Sequence, residues 1–163
     1  MFVADAGPII AFARIGQLDL LQQVAGEIAV PDAVYEELVV KGRGRVGAKE
    51  IEESPWIRRH AVENPAVVAD RPASLHRGEW EAIALAQHLG AQLLIDEQRG
   101  REVAQAHGVE VLGSLAVLAE AKRRGIIDYA RPLLSAMITS GYWMDADLAM
   151  AFLAEVGEGE DTT

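Results

Sequence analysis

Short apolar runs recur along this chain, FVAD at 2–5, EIAV at 27–30, QLLI at 92–95 and VEVLG at 109–113, with helix-spaced segments between them. Runs this short, apolar on both faces, read as strands that need cover on each side. A parallel sheet with helical crossovers on both faces supplies that cover. In such sheets ligands bind beyond the carboxyl ends of the strands, so residues just after each run are the first to inspect for function.

The segments between the runs have helical periodicity. IIAFARIGQLDLLQQV reads as one helix broken near Gly16 or as two short ones, with Pro8 suited to the first turn. PDAVYEELVV starts at Pro31 or Asp32, and QRGREVAQAHG closes at Gly108. EWEAIALAQHL, SLAVLAEAKRRG, DYARPLLSAMITSG and MDADLAMAFLAEV are further helices. Residues 41–77 carry Pro55, Pro65 and Pro72 and are the least periodic, which predicts a loop, a short helix over 48–53 and one edge strand. The whole reads as a single domain over residues 1–156, followed by an acidic, flexible tail at 157–163.

Composition excludes several classes. With no cysteine there is neither a disulfide framework nor a thiolate zinc site. No apolar run reaches the roughly 20 residues of a membrane span, and the first residues lack a basic leader pattern, so the expectation is a soluble, cytoplasmic protein. A net charge of −10 argues against broad attraction to polyanions.

Asp5 ends the first run and Asp96 the third, placing two carboxylates on the functional edge. On a wheel of about 100° per residue, Glu79 falls among Ala82, Ile83, Ala86 and Leu89, while Glu81 points outward with His88. The same wheel puts Glu37 between Ala33, Val34 and Leu38, facing inward, and Glu36 on the wetter side. Each acid also has an ordinary reading: Asp5 and Asp96 as helix caps, Glu79 as a first-turn acid, Glu37 as the partner of Arg14, Arg43 or Arg45. Together they would repel, by about 4 kcal/mol for unit charges at 4 Å and an effective dielectric near 20. A divalent cation is the simplest counter-charge, and all-oxygen ligands select Mg²⁺ or Mn²⁺. His60, His76, His88 and His107 show no metal-type spacing, and no phosphate-loop motif is present. A cation held by carboxylates suits phosphoester cleavage.

The order of VADAGPII, VPDAVYEEL, RGEWEAIALA, LLIDEQRGREVA and GVEVLGSLAVLAEAKRRGII resembles the PIN-domain family, near the VapC-type toxins of toxin–antitoxin modules, from Phe2 to about Gly141. The resemblance implies a three-layer α/β/α sandwich around a parallel sheet and a Mg²⁺- or Mn²⁺-dependent endoribonuclease. It places the family's acids on Asp5, Glu37, Glu79 and Asp96. Metal contact falls to Asp5, Glu79 and Asp96, with Glu97 competing for the last role, and Glu37 orients or deprotonates water. Arg99 and Arg101, just after Asp96, are expected to reach RNA phosphates; the other arginine couplets are 43/45, 58/59 and 123/124. Ser114 reads as a helix N-cap. The implied partners are RNA and a small antitoxin. The stripe Leu148, Ala151, Phe152, Val156 either completes the core or pairs a homodimer.

Two other classes are weighed. One is a PIN-like binding or regulatory module with a degraded metal site, motivated by Ala6-Gly7 where the family often carries a hydroxyl after the first acid, and by the net negative charge. The other is an aspartyl-phosphate receiver, which needs a lysine after a late strand that this chain lacks.

Overall fold

The computed structural model describes residues 1–160, so residues 161–163 of the expected tail lie outside the described residues. Five strands form one sheet in the order β3-β2-β1-β4-β5, every neighbouring pair parallel. They are β1 (Phe2–Ala4), β2 (Ile28–Pro31), β3 (Ile57–His60), β4 (Gln92–Leu94) and β5 (Val111–Leu112). In β1, β2 and β4 nearly every side chain is buried, as strands covered on both faces must be. The result is the α/β sandwich that the spacing of apolar runs predicts.

Between β1 and β2 run α1 (Ala6–Arg14) and α2 (Leu18–Ala25), broken at Gly16 as expected. Next come α3 (Asp32–Tyr35), a π-helical segment at Glu36–Val40, and α4 (Ala48–Glu52). α5 (Pro65–Ala69) and α6 (Arg77–Leu89) lead into β4, and α7 (Gln98–Ala106) into β5. The chain finishes with α8 (Ser114–Arg123), α9 (Arg131–Thr139) and α10 (Ala146–Glu155). The core runs through Ile9, Phe12, Leu21, Ile28, Ile83 and Leu93, all fully buried. Removing such a side chain from water contributes about 1.5–3 kcal/mol.

β3 is the expected edge strand. Its Arg58 and Arg59 point outward onto Glu27 and Asp32, and charges on an edge discourage another strand from pairing there. α10 buries Phe152 and Leu153 and leaves Leu148 exposed, so the packed face lies one position round from the predicted stripe. Glu158, within the predicted tail, is bound by the fold: its carboxylate accepts the Ala130 and Arg131 N–H groups and pairs with Lys122. No described helix is long and apolar enough to cross a membrane.

Candidate active site

After β1 the chain builds β2 and β3 on one side, then returns to build β4 and β5 on the other. The crevice at such a reversal lies between the carboxyl ends of the two central strands, here β1 and β4. Asp5 follows β1, and its N–H donates to the Leu94 carbonyl at 2.9 Å, extending the pairing to the acid itself. Its side chain is buried but makes no capping hydrogen bond to α1. Burial pushes the Asp5 carboxyl up to about 7; the charges of Glu79, Glu37 and Asp96 add to that, and the Ala6 N–H offsets only part.

Asp5, Glu37 and Glu79 line one open cleft of about 620 Å³. Glu79 is buried in the first turn of α6, where one carboxylate oxygen accepts the His76 N–H at 2.9 Å. It therefore closes the start of the helix and borders the cleft at once. Glu37 corrects the inward reading of the helical wheel: it is exposed and faces the cleft. It lines the cleft together with Ala33, one helical turn earlier and on the face the wheel gives it; that face opens on the cleft instead of being covered, and the π-helical turn closed by the Lys41 N–H on the Glu36 carbonyl follows directly. Glu37 and Asp5 meet over Gly78 of α6. A Cβ built there would lie 3.5 Å from Glu37 Oε2 and 3.9 Å from Asp5 Oδ1.

Asp96 is not among the residues lining that cleft, so the single pocket expected to hold all four acids is three acids with a fourth beside them. Its oxygens are held by Ser114, the backbone N–H on Oδ1 and the hydroxyl on Oδ2. Ser114 is thus not an N-cap: Gly113 takes that place, Ser114 is the first residue of α8, and Asp96 supplies the oxygen its N–H needs. Tyr142 joins the group, its phenol held above the ordinary range by burial, then by the charge and hydrogen bonding of Asp96.

Glu97 is exposed and accepts the Gly100 N–H at 2.8 Å, capping α7. Arg99 bonds Ser74 and Glu102, and Arg101 donates to the Ile95 carbonyl. Among the described residues none of Asp5, Glu37, Glu79 and Asp96 is paired with a cationic side chain. Glu81 corrects the wheel as well: it is 2 % exposed, and it accepts the Ala33 N–H at 3.1 Å and Arg77 Nε at 2.7 Å. The wheel treats α6 alone, whereas α3 packs against that face; the i, i+4 spacing of Arg77 and Glu81 is the one signal of the pair in the sequence. Lys41 and Arg45 also line the cleft; the sequence reading offered Arg45 as a partner of Glu37, a pairing the structure does not make, and did not single out Lys41.

Among the described residues no three Asp, Glu or His side chains converge closely enough, as they stand, to enclose an ion. The donors nonetheless fit a hard divalent cation in kind. They are all carboxylates, they carry no cationic partner, and Asp5 shows the raised carboxyl that uncompensated neighbours and burial produce.

Carboxylates gathered at the switch point of a parallel α/β sheet define a class of acidic-site α/β domains. Within it, the sequence matches over residues 1–158 the family described as DUF3368, PIN domain, and the chain belongs to that family. PIN domains are generally nucleases that use divalent metal ions. Among solved structures, a PilT N-terminus domain protein, SSO1118, from the hyperthermophilic archaeon Sulfolobus solfataricus P2 has a similar fold. It is 15 % identical with a TM-score of 0.51, the match covering 89 % of this chain and 98 % of that one. No curated protein matches the sequence.

Proposed function

We propose that this chain is a Mg²⁺- or Mn²⁺-dependent endoribonuclease of the VapC-like kind, blocked in the cytoplasm by a small antitoxin. One observation carries the reading: Asp5, at the carboxyl end of the central strand, is a buried carboxyl with no cap to make and no cation beside it, facing Glu37 and Glu79 across an open cleft. Asp5, Glu79 and Asp96 would hold the cation, with Ser114 keeping Asp96 oriented. When bound, the cation supplies the positive charge that polarises a phosphoryl oxygen and lowers the pKa of a water. Glu37, the exposed acid of the cleft, accepts the proton of the attacking water.

The test is cleavage of single-stranded and structured RNA by pure protein with Mn²⁺ and with chelator. Cleavage should need the metal, vanish in Asp5→Asn and Asp96→Asn, and fall about 10²–10⁴-fold in Glu37→Gln. An unchanged rate in either Asp variant overturns the assignment.

A second reading, a PIN fold that binds without cleaving, draws on Ala6-Gly7 after the first acid and on the spacing of the carboxylates. Titration calorimetry separates the two: saturable Mn²⁺ binding lost in Asp5→Asn supports the nuclease, and its absence supports the module.

A further inference from the structure

The segment KGRGRVGAK, residues 41–49, carries four cations and no acid. Of the 15 Lys and Arg residues of the chain, Arg14, Lys41, Arg43 and Arg45 are those whose side chains make no ion pair or hydrogen bond among the described residues. The other arginine couplets are all engaged: 58/59 with Glu27 and Asp32, 123/124 with Glu120, and 99/101 as described above. In a chain of net charge −10, where acids outnumber bases, unpaired cations confined to one place call for a reason.

All four are exposed; Arg14, Lys41 and Arg45 stand at the cleft or the hollow beside it, and Arg43 lies between Lys41 and Arg45 in the same turn. Lys41 and Arg45 line the cleft, and Arg45 and Arg14 line the smaller adjoining hollow that shares Ile10 and Glu37 with it. The fold fixes this placement. Gly47 has φ +85°, and a Cβ there would lie 2.6 Å from Ala13 Cβ, so the turn rests directly on α1 one residue before Arg14. At Gly42 a Cβ would overlap the Leu38 carbonyl, and the Arg45 N–H closes the turn on the Gly42 carbonyl at 2.9 Å. The cations stay outside salt-bridge reach of the carboxylates, leaving a positive rim beside a negative centre. A nucleic-acid strand with one phosphate at the acids presents its flanking phosphates to such a rim, and phosphate contacts set register rather than sequence.

We propose that Arg14, Lys41, Arg43 and Arg45 form the phosphate-binding rim that seats the RNA strand, which leaves the cleft over the turn at 41–47 and not across Arg99 and Arg101. This rests on the nuclease reading of the cleft and names the subsite of its substrate.

The test uses fluorescence anisotropy with a labelled poly-uridylate oligomer and full-length protein in EDTA, so binding is read without cleavage. Two variants with equal charge change are compared, R14Q/K41Q/R43Q/R45Q and R58Q/R59Q/R123Q/R124Q. The rim variant should bind at least about tenfold more weakly, with the slope of log affinity against log salt reduced by about 3, as the loss of four contacts to a single strand requires. The control should change less than about threefold. Thermal denaturation of both variants separates lost binding from lost fold. Equal weakening in the two variants, or none in the rim variant, overturns the proposal. Polyglutamate binding as tight as the oligomer and dependent on the same four residues also overturns it, in favour of an acidic protein segment. Absence of Mn²⁺-dependent cleavage counts against the nuclease and leaves the binding comparison intact.

Discussion

Ser114 holds both carboxylate oxygens of Asp96, its N–H 2.7 Å from Oδ1 and its hydroxyl 2.6 Å from Oδ2. The acid at the end of one crossover thereby sits at the N-terminus of α8, where the helix favours negative charge. Because Ser114 is fully buried, its hydroxyl cannot be replaced by bulk water. Ser114→Ala is expected to lower stability by about 1.5–3 kcal/mol, the range for a hydrogen bond to a charged group, read by urea denaturation. A loss no larger than that of an exposed Ser→Ala change would mean that Asp96 does not depend on it.

Asp5 links the site to pH. Its carboxyl lies near 7 in the fold against an ordinary value of 3.8, so between those values the folded protein holds this proton more tightly than the unfolded chain. The metal-free protein should therefore lose stability as pH rises from about 4 to 7, with little further loss from this group above, by up to ~4 kcal/mol. Asp5→Asn removes that loss. It should raise the melting temperature at pH 8 and change it little at pH 4; an equal shift at both would refute the buried-acid account. Saturating Mn²⁺ should raise the melting temperature of the parent at pH 8 and not that of Asp5→Asn.

Glu81 ties two site-bearing elements together, since its carboxylate on α6 accepts the Ala33 N–H at the start of α3, the helix that leads into Glu37. Arg77, its other partner, is 57 % exposed, so solvent screening leaves that ion pair a small share of the effect. Glu81→Ala should destabilise by about 1–3 kcal/mol, mainly by leaving the Ala33 N–H unpaired. Glu81→Gln, which keeps an acceptor oxygen, should recover at least half. Equal destabilisation by the two variants would show that charge, not the N–H contact, is what matters.

Gly47 sets the turn of the cationic rim against α1. Gly47→Ala meets a left-handed backbone and Ala13 together, and should cost about 2 kcal/mol or more in denaturant titration. A neutral result would show that the turn can lift away from α1.

That Asp5, Glu37 and Glu79 come together was legible in the sequence, whereas their exposure and partners were not. Glu79 follows regular α-helical spacing within α6, and its inward placement is what the wheel predicts. Glu37 shares a face with Ala33 as the wheel places it, but that this face opens on a cleft instead of being covered depends on how α6 packs beside it, which leaves no mark in hydrophobic periodicity. Glu81 reads as a solvent residue because its buried partner is the backbone of another helix. The charge of residues 41–49 was plain, but whether each cation was free or paired was not.

By itself, the sequence determined the parallel α/β fold, the order of its elements and the two strand-end acids, because burial on both faces of a strand and on one face of a helix is a local demand that each segment's composition must meet. The tertiary structure alone decided how far each site acid is exposed, which of them is held by Ser114, and which cations stand unpaired beside the cleft. Those outcomes depend on hydrogen bonds and contacts between segments distant in the chain, which no local period encodes.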